Sequence, residues 1–210
     1  MAAASVDEAL RNAVCVGVDL NMIAGLDNFC WPDPVQSAKT PDGRYKLAQL
    51  VRANRAIDDV CRAYRLPCIS GKDSMKNDVT MHGEKISVPP TLLFSLMGNH
   101  KDVRKAISSD FKRPGDIIYL IGQTHQELGA SELAYMLLDE GGSGIGGAVP
   151  QIDAERNIAA YRALTGAMTR KLVASAHDCS DGGLSVALAE CCFGADSGAS
   201  IEIESLWDDC

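Results

Sequence analysis

A chain of 210 residues, 46% hydrophobic and 23% charged, is long enough to bury a core without disulfide or metal staples and too apolar to be disordered as a whole. At ~150 residues per domain it holds one large domain or two small ones. Its 20 basic residues against 28 acidic ones, a net charge of −8, leave no basic stripe for nucleic acid; the apolar runs at 92–97 and 117–121 fall far short of a membrane span; and Met1-Ala-Ala-Ala-Ser5 lacks the basic start of a signal peptide.

In chain order, Ser5-Val-Asp-Glu8 has capping-box spacing, and Val6, Leu10, Ala13 and Val14 recur at helical intervals, so a helix opens the chain and ends near Gly17. Residues 23–34 pass from a short apolar strand into a proline-bounded loop. A turn at Pro41-Asp-Gly43 precedes a long amphipathic helix over 46–65, and a strand from Pro67 runs into Gly71-Lys-Asp-Ser. Pro89-Pro90 launches a strand over 91–97. Polar residues at 99–115 and the turn Arg113-Pro-Gly-Asp116 then mark a domain boundary. The second part reads strand 116–122, helix 130–140, glycine-rich loop 141–148, helix 153–172, strand 173–179, helix 183–193 and strand 200–204. Alternating strands and helices indicate an α/β or α+β fold with two parts, 1–105 and 106–210. The chain starts in a helix with no strand before it and stops just past a strand, so each part reads as a partial sheet domain. Eight cysteines, without a C-x-x-C pair, read as buried thiols in a reducing cytoplasm.

Three stretches carry candidate chemistry. Gly142-Ser-Gly144-Ile-Gly-Gly147 has the G-x-G-x-x-G spacing, but it follows a helix and runs into Val149-Pro150, so it is a loop and not a dinucleotide fingerprint. In His177-Asp-Cys-Ser-Asp-Gly-Gly-Leu184, a strand through 175–179 places Asp178 and Ser180 on one face, ahead of a sharp turn into a helix. A carboxylate and a hydroxyl beside a helix N-terminus suit a Mg²⁺-bound phosphate; the plain alternative is an N-cap at Ser180 or Asp181. Glu8 and Asn12 share one face of the first helix and offer two oxygens to a hard cation. Asp27-Asn-Phe-Cys-Trp31 is a packed loop or one wall of an adenine pocket.

Together, Val6-Asp-Glu-Ala-Leu-Arg-Asn12, Leu26-Asp-Asn-Phe-Cys-Trp31, Ile69-Ser-Gly-Lys-Asp-Ser-Met75, Pro89-Pro-Thr-Leu-Leu93 and the 177–184 stretch resemble, in order and spacing, the synthetase subunit of phosphoribosylformylglycinamidine synthase. The resemblance covers essentially the whole chain and places it in the C-terminal half of that subunit, in part. It implies the aminoimidazole ribonucleotide synthetase-like fold: a partial α/β N-terminal domain of the kind that forms a barrel-like dimer or pseudo-dimer, then a partial α+β sandwich domain.

The resemblance further implies ATP-dependent amidation of formylglycinamide ribonucleotide, with ATP and Mg²⁺ as cofactors and ammonia drawn from glutamine. The implied partners are a glutaminase subunit, a small bridging subunit and the N-terminal half of the synthetase, where the family's catalytic histidine lies. No catalytic residue is therefore expected here, and the fragment alone is expected to be inactive. By motif, Asp27, Gly71 and Ser180 would contact ATP, Ser74 would contact substrate, and Glu8, Asn12 and Asp178 would hold metal at an auxiliary nucleotide site. Lys72 stands where many members have a metal-binding asparagine, and an ammonium cannot ligate Mg²⁺. Lys72 then neutralises phosphate, or Asp73 takes the metal. The competing expectation is a non-catalytic, pseudo-symmetric scaffold half that holds a structural Mg-nucleotide.

Overall fold

The computed structural model describes residues 1–138, 147–195 and 198–202, and it is an α+β structure. Helix α1 (Ala2–Cys15) carries a buried stripe of Val6, Leu10 and Val14, one turn apart. It starts three residues before the expected cap: Ser5 lies inside the first turns and its hydroxyl donates back to the Met1 carbonyl. Helix α2 (Gly43–Tyr64) buries Ala53, Ile57, Val60, Cys61 and Tyr64 along one face. Its last turn closes on Arg65 in the left-handed region, at φ 54°.

These helices cover one face of a three-stranded mixed sheet made of β1 (Ile23–Cys30), β2 (Cys68–Ser74) and, after a hairpin, β5 (Thr91–Gly98). Strand β1 is central, parallel to β2 and antiparallel to β5. The period-two pattern places Ile23, Phe29, Leu92 and Phe94 in the core, whereas Leu93 and Met97 on the other face remain 63% and 54% exposed. The hairpin β3–β4 (Asp78–Met81, Glu84–Ser87) turns on His82 and Gly83, both at positive φ as a two-residue primed turn requires. Nothing in the apolar pattern anticipates it.

Trp31 settles the Asp27–Trp31 stretch in favour of packing. Its indole is 1% exposed, donates to the Lys46 carbonyl at 3.0 Å, and meets Phe29 edge-on at 5.7 Å between centroids. The loop after β1 is thereby pinned to the first turns of α2.

In the second part, helix α3 (Glu132–Leu138) lies within the expected 130–140 and α4 (Ala154–Thr169) within 153–172; α5 (Gly183–Phe193) has the expected bounds. Asp153 caps α4 by accepting from the Arg156 amide. Two expected strands are not formed. Residues 116–122 and 173–179 have no ladder, and Ile117 and Tyr119 are 75% and 76% exposed. A strand's backbone groups need a neighbour, and among the described residues none lies alongside either run. Residues 200–202 are likewise not strand; 203–210 and most of the glycine-rich loop lie outside the described residues.

The two parts meet where α4 packs on α1 and α2, burying Ile158 and Tyr161 in the common core. Burial holds the Tyr64 and Tyr161 phenols well above their usual pKa, reinforced by Asp7, and pushes the Cys15 and Cys61 thiols up to about 12. All four stay protonated in the folded chain at a pH where the unfolded chain ionises them. Stability contributed this way is complete below about pH 9 and is lost as pH rises through the thiol and phenol range. The melting temperature is therefore expected to fall steadily from pH 9 to 11, and a flat profile there contradicts these burials.

Candidate functional site

The predicted site residues fall into three groups, each positioned by a different part of the fold. The first is built around Asp178, which is 6% exposed. Its Oδ1 accepts from Asn12 Nδ2 of α1 at 3.4 Å, across 166 positions of sequence, and its Oδ2 accepts from the Ser180 hydroxyl. Asp178 and Ser180 do share a side, although the segment is a loop rather than the expected strand. His177 flanks the carboxylate, with Nδ1 at 3.5 Å from Asp178 Oδ1 and Nε2 at 2.9 Å from Glu190 of α5.

The chain then turns sharply. Gly182 and Gly183 both have positive φ, and a Cβ on Gly182 would lie 2.2 Å from Val186 Cγ2, so only glycine fits there. Helix α5 begins with Gly182 at its cap and no side-chain cap bond. The plain N-capping role for Ser180 or Asp181 is thus not what the structure uses; Ser180 is spent on Asp178. Glu8 is exposed one helical turn from Asn12, on the same flank of α1.

Arg11 is a member that sequence reasoning missed. It reaches from α1 to pair with Asp7 at 2.7 Å and to donate to the Cys179 carbonyl at 3.2 Å, while its Nε is buried without a partner. The Asp7–Arg11 spacing of four on a helix was the available signal. The donors around Asp178 are oxygen-bearing and hard, as Mg²⁺ requires. Among the described residues no three His, Cys, Asp or Glu side chains are arranged to hold a metal ion, so a cation here would need the Asn12 amide oxygen turned inward.

The second group is Asp27 and Gly71, paired across β1 and β2. A Cβ on Gly71 would lie 2.7 Å from both the backbone oxygen and Oδ1 of Asp27, so the glycine exists to let the carboxylate fold over the neighbouring strand. Asp27 also lines an open groove of about 610 Å³ between α2 and the start of β2, with Asn54, Asp58, Arg62 and Arg65 on its walls. Gly71→Ala is expected to destabilise the chain by about 1–3 kcal/mol through this overlap. A urea unfolding curve reads it, and an unchanged midpoint would show that β1 and β2 shift apart freely at this pair.

The third group is Ser74 with Lys72. Lys72 Nζ donates to Ser74 Oγ at 3.0 Å, on the face of β2 opposite Gly71. The Lys72 ammonium thus reaches Ser74, the serine expected to contact substrate, and Asp73 lies on the other face. No hydrogen bond or ion pair among the described residues joins the three groups.

Comparison with known proteins bears on the chain as a whole. Residues 113–209 match the family described as AIR synthase related protein, C-terminal domain. The phosphoribosylformylglycinamidine synthase subunit PurL of Anaeromyxobacter sp. (strain Fw109-5) is 36% identical over 189 residues, which is 90% of this chain and 22% of that protein. PurL of Prochlorococcus marinus (strain MIT 9312) is 34% identical over 202 residues, 96% of this chain and 24% of the relative. The chain thus spans about a quarter of the length of these curated relatives. A solved structure, T. maritima PurL complexed with ATP, superposes with a TM-score of 0.50 at 16% identity, covering 90% of this chain and 25% of its own, and supports the fold. Among the described residues no helix is long and apolar enough to cross a membrane.

Proposed function

We propose, for a chain similar over nine-tenths of its length to a quarter of the phosphoribosylformylglycinamidine synthase subunit PurL, that it forms part of a synthetase converting formylglycinamide ribonucleotide to its amidine with ATP and ammonia. In that reaction ATP phosphorylates the formyl-amide oxygen, and ammonia, released from glutamine by a partner glutaminase, displaces phosphate. Such chemistry depends on placing the phosphates and balancing their charge more than on covalent help from the protein. The observation that carries the reading is the meeting of Asn12, Asp178 and Ser180, three residues singled out for a Mg-nucleotide, from opposite ends of the chain.

On this reading Asp178 and Asn12 hold Mg²⁺, with Glu8 closing the set from the next turn of α1, and Ser180 touches the nucleotide. Mg²⁺ when bound would neutralise the phosphates. Arg11, whose Nε–H is unpaired, adds positive charge beside them. Asp27, with Gly71 beside it on β2, faces a second nucleotide position in the groove, and Ser74, oriented by Lys72, meets the phosphorylated substrate. The division at 1–105 and 106–210 is supported by the domain match at 113–209. Leu93 and Met97, exposed on the open sheet face, fit a second sheet contributed by the remainder of a pseudo-symmetric synthetase. The glutaminase, the bridging subunit and a cytoplasmic location belong to this reading as well.

A scaffold role for the same site has one observation of its own. The Asp178 carboxylate is buried and already bonded on both oxygens, as a structural nucleotide anchor would be.

A chimera decides between synthetase part and scaffold. This chain replaces the matching quarter of Anaeromyxobacter PurL, and the purified chimera is given formylglycinamide ribonucleotide, Mg-ATP and ammonium chloride, which bypasses the glutaminase. The synthetase reading expects substrate-dependent ADP formation that falls with Ser74→Ala; a folded chimera with no such turnover overturns it. Turnover insensitive to every site change here leaves the scaffold role.

A further inference from the structure

The groove beside α2 holds a feature that neither the nucleotide nor the substrate reading uses. Cys61, in the last turn of α2, and Cys68, the first residue of β2, place their sulfurs 3.7 Å apart. Three local features make this approach. Arg65 in the left-handed region ends the helix, the Leu66 amide returns to the Cys61 carbonyl at 2.9 Å, and the Pro67 carbonyl accepts from Gly25 to anchor the strand. The two thiols are seven positions apart, so little chain entropy opposes their meeting.

Their environments differ. Cys61 is buried, while Cys68 is exposed on the edge strand. Both line the open groove of about 610 Å³, whose walls also carry Asp27, Arg62 paired with Asp58 at 2.8 Å, and Arg65. A small disulfide can therefore reach Cys68 from solvent, and Arg65, which has no ion pair among the described residues, is the cation available to a carboxylate on it.

We infer that Cys61 and Cys68 form a reversible dithiol–disulfide site that reacts with small anionic disulfides of the oxidised-glutathione class. The Cys68 thiolate attacks one sulfur of the oxidant and expels one glutathione thiolate, which takes up a proton. Cys61 then loses its proton and attacks the Cys68 sulfur, expelling the second glutathione. Two protein thiols are oxidised to one disulfide, and one oxidised glutathione is reduced to two thiols. Burial, then the neighbouring Cys68, holds the Cys61 thiol high, so Cys68 leads and Cys61 resolves. Product closes the wall of the groove between α2 and β2. The inference rests on the two thiols and not on the nucleotide position proposed in the same groove.

The test treats the folded chain with oxidised glutathione, alkylates remaining thiols in denaturant, and digests with trypsin. Cys61 and Cys68 fall in separate peptides, 56–62 and 66–72. The expected result is a disulfide-linked pair of those peptides, two hydrogens lighter than their sum and separated by dithiothreitol. Cys61→Ser is expected to trap a glutathionyl group on Cys68, and Cys68→Ser to leave Cys61 free for alkylation. If wild-type chain yields only glutathionylated Cys68 beside alkylated Cys61, or links only other cysteines, the site does not exist.

Discussion

Replacing Asp7 with alanine is expected to cost about 3–5 kcal/mol of folding stability, the range for breaking a buried charge network at one member. Asp7 is 1% exposed and sits beside the buried stripe of α1. Its Oδ1 accepts from the Tyr64 hydroxyl of α2, from Tyr161 of α4 at 2.8 Å, and from Asn157 of α4 at 3.0 Å. Its Oδ2 takes the Arg11 guanidinium at 2.7 Å. Alanine leaves two phenols, an amide and a guanidinium without their acceptor in a site closed to water, and each carries its own desolvation cost. Asp7→Asn keeps an acceptor oxygen but loses the ion pair, and its loss is expected to fall between. Because α4 belongs to the second part and α1 and α2 to the first, Asp7→Ala is also expected to loosen the two parts. Urea unfolding with separate probes in each part reads both effects. A loss below about 1 kcal/mol would mean that the polar cluster rearranges around a water instead.

Trp31→Ala is expected to have an effect of the same size, about 3–5 kcal/mol, from the cavity left under the loop after β1. The indole is fully buried, fills the space between Phe29 and α2, and gives the Lys46 carbonyl its side-chain partner. Trp31→Phe restores most of the volume but not the hydrogen bond, so it is expected to recover much, not all, of the stability. Neither variant is expected to change nucleotide affinity in the folded protein, since the ring does not face the groove around Asp27. A selective loss of ATP binding in Trp31→Phe, with stability kept, would return the residue to an adenine pocket.

Much of the fold was legible wherever an apolar pattern had somewhere local to bury itself. Val6, Leu10 and Val14 announce α1, and α5 runs from Gly183 to Phe193 directly after the Asp-Gly-Gly turn. The runs at 117–121 and 173–179 show the boundary of that logic. A pattern states which side chains would be buried, not whether a neighbouring strand lies alongside, and among the described residues none does. The β3–β4 hairpin was hidden for the opposite reason: its strands are four residues each and mostly exposed, leaving only His82-Gly83 as a signal.

The candidate site divides in the same way. The Asp178–Ser180 bond follows from a spacing of two and is visible locally. The Asn12–Asp178 contact spans 166 positions, and only family resemblance linked its ends before the structure did. Gly71 is expected only as an ATP contact by motif; its close approach to Asp27 on the neighbouring strand is visible only in the structure. Asp7 and Arg11 were invisible as a hub because their partners lie on α2, on α4 and before α5.

On the proposed reading, Asp178, with Asn12 and Ser180, holds a Mg-nucleotide in this chain. Calorimetric titration of Mg-ATP into the reduced protein, with Asp178→Ala alongside and both shown folded by circular dichroism, tests it most directly. Binding on the order of micromolar is expected, and the variant is expected to lose a factor of ten or more, about 1.4 kcal/mol or above. Equal affinity in the two proteins, or no heat from folded wild-type chain up to millimolar ATP, would contradict it.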